Sequence, residues 1–128
     1  MSTINHPFMS KIFVGNPTEI GKSRDKYENV LMNEEVVEME FKGLRDGMLF
    51  TNIRMVVLNY QGITGKKVEV SSFPWKSVSA YSIENSGAID LDAELKICGS
   101  GWGVCEVSMT KGTNVREICQ YINEKIFL

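Results

Sequence analysis

Histidine is almost missing from this chain. His6 is the only one in 128 residues, and it sits in a poorly patterned N-terminal stretch. A serine or cysteine nucleophile needs a base beside it, so nucleophilic catalysis is not expected. Cysteine is scarce as well: Cys98, Cys105 and Cys119. Three is an odd number, and an exported chain would leave one unpaired. No Cys-x-x-Cys knuckle occurs, and a structural zinc site needs four closely spaced ligands. The expectation is free thiols packed as small hydrophobes, with no metal and no cofactor. Long apolar runs are also lacking. The longest, Met55 to Leu58, is far short of the ~20 residues that span a bilayer. The N-terminal stretch has neither the cationic start nor the long apolar core of a secretory signal. Neither sign of charge dominates, and the net charge is −2. Proteins that wrap duplexes or bind membranes through polybasic patches are normally basic. Nucleic acid is therefore not an expected partner, membrane contact is not favoured, and a cytoplasmic location is expected.

What is present is mostly period two. Residues 1–22 hold Pro7, Pro17, Gly15 and Gly21 and sustain no period, so they read as an N-terminal arm with one apolar patch, Phe8 to Val14. The domain proper reads as 23–128. Residues 23–32 suit a short helix that Ser23 can cap, with Tyr27, Val30 and Leu31 on one face. In "VEMEF", Val37, Met39 and Phe41 alternate with Glu38 and Glu40, a strand with one dry face. "LRDG" is a hairpin turn. "MVVL" reads as a strand buried on both faces or at a sheet junction. Pro74 marks a sheet edge or a corner. In "AIDLDAELKI", Ile89, Leu91, Ala93, Leu95 and Ile97 point one way and Asp90, Asp92, Glu94 and Lys96 the other. Cys105, Val107 and Met109 line a last strand. The period then changes to 3.6: Val115, Ile118, Cys119, Ile122 and Ile126 form one stripe, with Thr113 or Asn114 as cap. About seven short strands and one amphipathic C-terminal helix predict a mainly β fold. A bent antiparallel barrel with the helix plugging one end buries every dry face.

The segments "FKGLRDGMLFTNIR", "QGITGKKVEVSSFPWKSVSAYSIE" and "SGAIDLDAELKI" together resemble the bacterial pleckstrin-homology-like family, small domains of unassigned function. The pattern falls on Phe41, Arg45, Asp46, Phe50, Thr51, Arg54, Gln61, Gly62, Thr64 to Lys67, Pro74, Gly87, Asp90, Asp92, Glu94 and Leu95. It covers about residues 34–125. Ile53, Met55 and Asn59 depart from it, and Cys98 and Cys105 lie outside it. The resemblance implies a seven-stranded barrel capped by a helix, with no enzymatic activity. It also implies assembly into a cyclic ring of identical copies, a pentamer among the candidate sizes, with polar strand surfaces of neighbours meeting in a shared surface.

The individual motifs are less specific. "QGITGKK" lacks a Walker loop's first glycine, its magnesium-binding hydroxyl and its following helix, and reads as a hairpin loop. Lys66 and Lys67 then become contacts for an acidic neighbour. "DLDAE" is a solvated or partner-facing acidic strand face, since calcium needs six or more converging oxygens from a turning loop. Trp75 and Trp102 suit core or interface positions. The expected working surface is Arg45, Asp46, Thr51, Asn52, Arg54, Lys66, Lys67, Asp90, Asp92 and Glu94, on a scaffold that binds itself and an unidentified protein partner. The alternative is a module for anionic lipid head groups using Lys42, Arg45, Lys66 and Lys67.

Overall fold

The structure is a computed structural model that describes residues 11–61, 67–85, 92–110 and 112–128. Its elements are β1 (Lys11–Thr18), α1 (Arg24–Tyr27), β2 (Val37–Lys42), β3 (Gly47–Thr51), β4 (Arg54–Gln61) and β5 (Lys67–Pro74). A 3-10 turn (Trp75–Ser77) leads to β6 (Val78–Asn85), β7 (Ala93–Gly99), β8 (Gly103–Met109) and α2 (Val115–Phe127). The strands form one sheet in the order β5-β4-β3-β2-β1-β8-β7-β6. Every neighbouring pair is antiparallel except β1 and β8, which are parallel. The corner expected at Pro74 is the 3-10 turn between β5 and β6.

The sheet has eight strands rather than about seven, and the additional one is β1. From Lys11 on, the stretch read as an arm joins the two halves of the sheet; residues 1–10 lie outside the described residues. Lys11 to Gly15 pair with β8, and Asn16 to Thr18 pair with β2. The change of partner falls at Gly15, where φ is +80°. A Cβ there would lie 2.1 Å from the Lys42 carbonyl oxygen, so only glycine passes this point. Split between two partners, β1 is too short on either side to show a period. Val14 is fully buried and Ile12 packs against the core.

The two halves, β2–β5 and β6–β8, share one core. Met48, Phe50, Met55, Val57 and Phe73 come from the first, and Ala93, Leu95, Ile97, Cys105, Val107 and Met109 from the second. Ile118 and Ile122 of α2 close it, as the stripe predicts. Asn114 caps α2 by accepting the Glu117 N–H at 3.1 Å. Phe50 centres an aromatic group with Phe41, Trp75 and Tyr121 at 5.6, 5.3 and 5.5 Å. Trp75 is buried and Trp102 packs on Phe73 at 5.0 Å, so both tryptophans are packing residues.

The first half has a second apolar layer outside it. Leu49, Val56 and Leu58 point outward and are buried under Tyr27, with Leu31, Val37 and Tyr60 at the margin. This explains "MVVL", which is buried on both faces. The covering segment runs from Glu19 to Val36, and only Arg24–Tyr27 of it is helical. The predicted helix over 23–32 is thus reduced to one turn. The Ser23 hydroxyl makes no cap bond. Its N–H goes instead to the Glu40 carboxylate, and anchoring to the sheet overrides helix propensity.

Candidate interaction surface

Four of the ten expected surface residues hold the chain together. Thr51 is fully buried; its hydroxyl donates to Glu35 Oε2 at 2.7 Å and accepts the N–H groups of Ile53 and Arg54 at 3.2 and 3.1 Å. Arg54 makes a forked pair with Glu35, Nε to Oε2 at 2.7 Å and Nη2 to Oε1 at 2.8 Å. It also donates to the Val30 carbonyl and to Ser72 Oγ, both at 2.8 Å. Such two-point pairing is the strong form of an ion pair. Burial works to raise the Glu35 pKa, but the Arg54, Thr51 and Met32 donors and the Arg54 charge outweigh it and hold it at about 2. Asn52 Oδ1 accepts the Val36 N–H at 2.8 Å. Asp46 Oδ1 accepts the Tyr60 N–H at 2.8 Å, and its carbonyl accepts the Gly43 N–H, fixing the β2–β3 turn.

The others lie on the outside or beyond the described residues. Arg45 is exposed in that turn, Lys67 is exposed at the start of β5, and Asp92 is exposed just before β7. Glu94 is half-buried, its Oε1 3.4 Å from Ser108 Oγ. Lys66 and Asp90 lie outside the described residues. The strand β5, not a helix, follows "QGITG", so the sequence argument against a phosphate loop holds at that point. Among the described residues no group of three or more His, Cys, Asp or Glu side chains converges on a metal position.

Two features were missed by sequence reasoning. Glu40 was read as a wet residue of β2, yet it is 2 % exposed. It accepts the Gly21 and Ser23 N–H groups at 2.9 and 2.8 Å and the Tyr27 hydroxyl at 2.8 Å. Burial, with the Glu40 hydrogen bond and charge added, pushes the Tyr27 hydroxyl up to about 12. Nothing in the alternation of "VEMEF" separates Glu40 from Glu38, because the groups that bury Glu40, on Gly21, Ser23 and Tyr27, lie 13 to 19 positions earlier in the chain. Glu38 itself meets α2: Lys125 Nζ lies 3.1 Å away, and the Tyr121 hydroxyl lies within hydrogen-bond distance.

The outer face of β6–β8 is different. Ser82 lies beside Lys96 and Lys96 beside Glu106, while Glu84 lies beside Glu94 and Glu94 beside Ser108. These positions are polar, with Ser82, Glu84 and Lys96 exposed, Glu94 and Glu106 half-buried and Ser108 buried; the neighbouring outward row is Ala80, Cys98 and Val104. Among the described residues, β5 and β6 are edge strands of eight residues, each paired on one side only. The cleft beside Lys42, Arg45 and Lys26 is shallow, with about 10 Å³ of space, enough for one water. Among the described residues no helix is long and apolar enough to cross a membrane.

A bent, eight-stranded, mostly antiparallel sheet around a shared core, plugged by a C-terminal helix, defines a pleckstrin-homology-like domain. The sequence matches the bacterial PH domain model over residues 8–126, and the chain belongs to that family. Among curated relatives, it is 42% identical over 90 residues to the uncharacterized protein YjqA of Bacillus subtilis, covering 69% of this chain and 72% of that one. It is 28% identical over 101 residues to YozO of the same organism, also uncharacterized, covering 77% and 87%. A pleckstrin-homology-domain protein from Shewanella loihica superposes with a TM-score of 0.75 at 30% identity, over 88% of this chain and 98% of that one. A pleckstrin homology domain from Shewanella amazonensis does so at 0.68 and 32%, over 85% and 89%.

Proposed function

We propose that this chain is a non-catalytic scaffold of the cytoplasm that assembles into a closed ring of identical copies, a pentamer among the candidate sizes. The ring would offer its polar strand surfaces to a protein partner. The observation that carries this reading is the contrast between the outer faces: the first half-sheet is covered by residues 19–36, whereas the second leaves Ser82, Glu84 and Lys96 exposed beside the edge strand β6. A long unpaired edge is a template for another chain unless something blocks it. Head-to-tail contact brings one patch against a different patch on the neighbour, and a closing rotation gives a ring. The charges in the sequence suit such a contact: Lys66 and Lys67 are basic, and Asp90, Asp92 and Glu94 are acidic. Exposed ion pairs contribute only ~0–1 kcal/mol each, so here charge sets register more than affinity. Three free cysteines agree with a reducing compartment. Lipid head-group binding through Lys42, Arg45, Lys66 and Lys67 is the competing reading, and the shallow cleft beside Lys42 and Arg45 argues against it.

Light scattering after size exclusion at ~100 μM, well above typical micromolar dissociation constants, tests the proposal. The expected mass is one discrete multiple of the 14.4 kDa chain. A single-chain mass at that concentration overturns it. Sedimentation with anionic vesicles but not with neutral ones would favour the lipid reading instead.

A further inference from the structure

The segment Glu19 to Val36 is attached differently from the rest of the described fold. It contributes no strand to the sheet. Several of its backbone bonds stay within it: Lys22 to Glu19, Arg24 to Gly21, Lys26 to Ser23, Glu28 to Arg24, Val30 to Tyr27 and Glu35 to Met32. Its middle is held to the barrel by two hydrogen-bonded latches and by the Lys26 ammonium, which lies 4.7 Å from the centroid of the Tyr60 ring. In the first, the buried Glu40 carboxylate gathers Gly21 N–H, Ser23 N–H and the Tyr27 hydroxyl. In the second, Arg54 Nη2 reaches the Val30 carbonyl. Tyr27 and Leu31 pack with Leu49, Val56 and Leu58 in a cluster separate from the main core. The two ends are fastened independently, by β1 on one side and by Glu35–Arg54 and Val36–Asn52 on the other.

We propose that residues 21–31 form a strap that lifts off as a unit while the eight strands stay paired. Lifting leaves the ladders and the shared core intact, since the main core cluster contains no residue of the strap. It breaks the Glu40 latch, the Val30 bond and the Lys26–Tyr60 contact and uncovers one small cluster. Proteins open in such sub-global steps where few buried contacts tie a segment down. The open form exposes Leu49, Val56 and Leu58. Leu58 lies beside Val70 and Tyr60 beside Val68 in the β4–β5 register. Val68 and Val70 are already 38 % and 40 % exposed. The strap thus hides most of an apolar strip across the outer face of β3–β5, with its outer margin already showing. A single helical turn has no stability of its own, so the strap amides exchange once it lifts.

Native-state hydrogen exchange on the full chain, read residue by residue at increasing sub-denaturing urea, tests this. Relative to their intrinsic rates, Ser23, Lys26, Glu28 and Val30 amides should exchange at least about a hundredfold faster than the slowest amides of β7 and β8, with a shallower urea slope. Glu40→Gln weakens a charge-assisted latch, so it should speed the strap amides about tenfold and leave β7 and β8 unchanged. One shared protection factor and one urea slope for strap and core in the wild type would overturn the proposal. Strap amides unaffected by Glu40→Gln would overturn the latch. Should that variant not fold, the wild-type comparison of slopes still decides.

Discussion

The two halves of the sheet carry the same kind of inner face and opposite kinds of outer face. Outside β2–β5, Leu49, Val56 and Leu58 are buried, and the carboxylates Glu35 and Glu40 are spent on fastening the covering segment. Outside β6–β8, Ser82, Glu84 and Lys96 are exposed, Glu94 and Glu106 are half-buried, and only Ser108, next to β1, is buried. A polar side chain therefore means different things in the two halves. In the first, Thr51, Asn52 and Arg54 are part of the fold's own hydrogen bonding. In the second, and at the edges, polar residues are placed where another molecule can meet them. The search for a working surface belongs there.

The largest expected effect removes both halves at once. Ile118 plugs the shared core from α2 and is 2 % exposed. Ile118→Asp buries an unpaired carboxylate at a cost of several kcal/mol, comparable to the ~5–15 kcal/mol stability of a whole domain. No cooperative thermal melt by circular dichroism is expected; an unchanged melting temperature would show that α2 does not hold the halves together. Next comes Arg54→Ala, which leaves Glu35 buried without its cation and should cost about 3–5 kcal/mol in urea unfolding. Acid acts on the same pair. The folded-state pKa of Glu35 is about 2 against an ordinary 4.5. Its stabilisation is complete above pH ~4.5 and is lost as pH falls toward 2, roughly 3 kcal/mol in all. The urea midpoint of wild type should therefore fall across that window, and the fall should be smaller in Glu35→Gln. The smallest effect is outside β6–β8: Lys96→Ala should change stability by no more than about 0.5 kcal/mol. A loss there as large as that of Arg54→Ala would erase the distinction between the halves.

Legibility in the sequence follows the same division. Alternation shows a strand clearly when one face is wet, so Ala93, Leu95 and Ile97 were readable as a dry face and are buried. The α2 stripe and its Asn114 cap were readable for the same reason, with one face dry and one wet. Alternation fails where both faces are dry. Gly47–Thr51 is buried throughout, and Glu40 looks like any outward carboxylate until its cover is known. The strand β1 was hidden because Gly15 and Pro17 read as breakers and because it changes partner midway. In the candidate surface, Lys67 and Asp92 are exposed charges. Thr51 and Arg54 were misplaced because their partner, Glu35, lies in a segment that carries no period. The expectation of ring assembly came only from the family resemblance.

In the proposed ring, copies of this chain meet through the basic residues Lys66 and Lys67 of one and the acidic residues Asp90 and Asp92 of the next. A charge exchange tests it most directly. Light scattering would compare wild type, Lys66→Glu/Lys67→Glu, Asp90→Lys/Asp92→Lys and the protein carrying all four changes, with circular dichroism confirming each monomer fold. The account predicts a discrete closed oligomer for wild type, smaller species for each single reversal, and recovery of the wild-type mass when both patches are exchanged. Reversals that leave the mass unchanged, or a fourfold variant no larger than its parents, would contradict it.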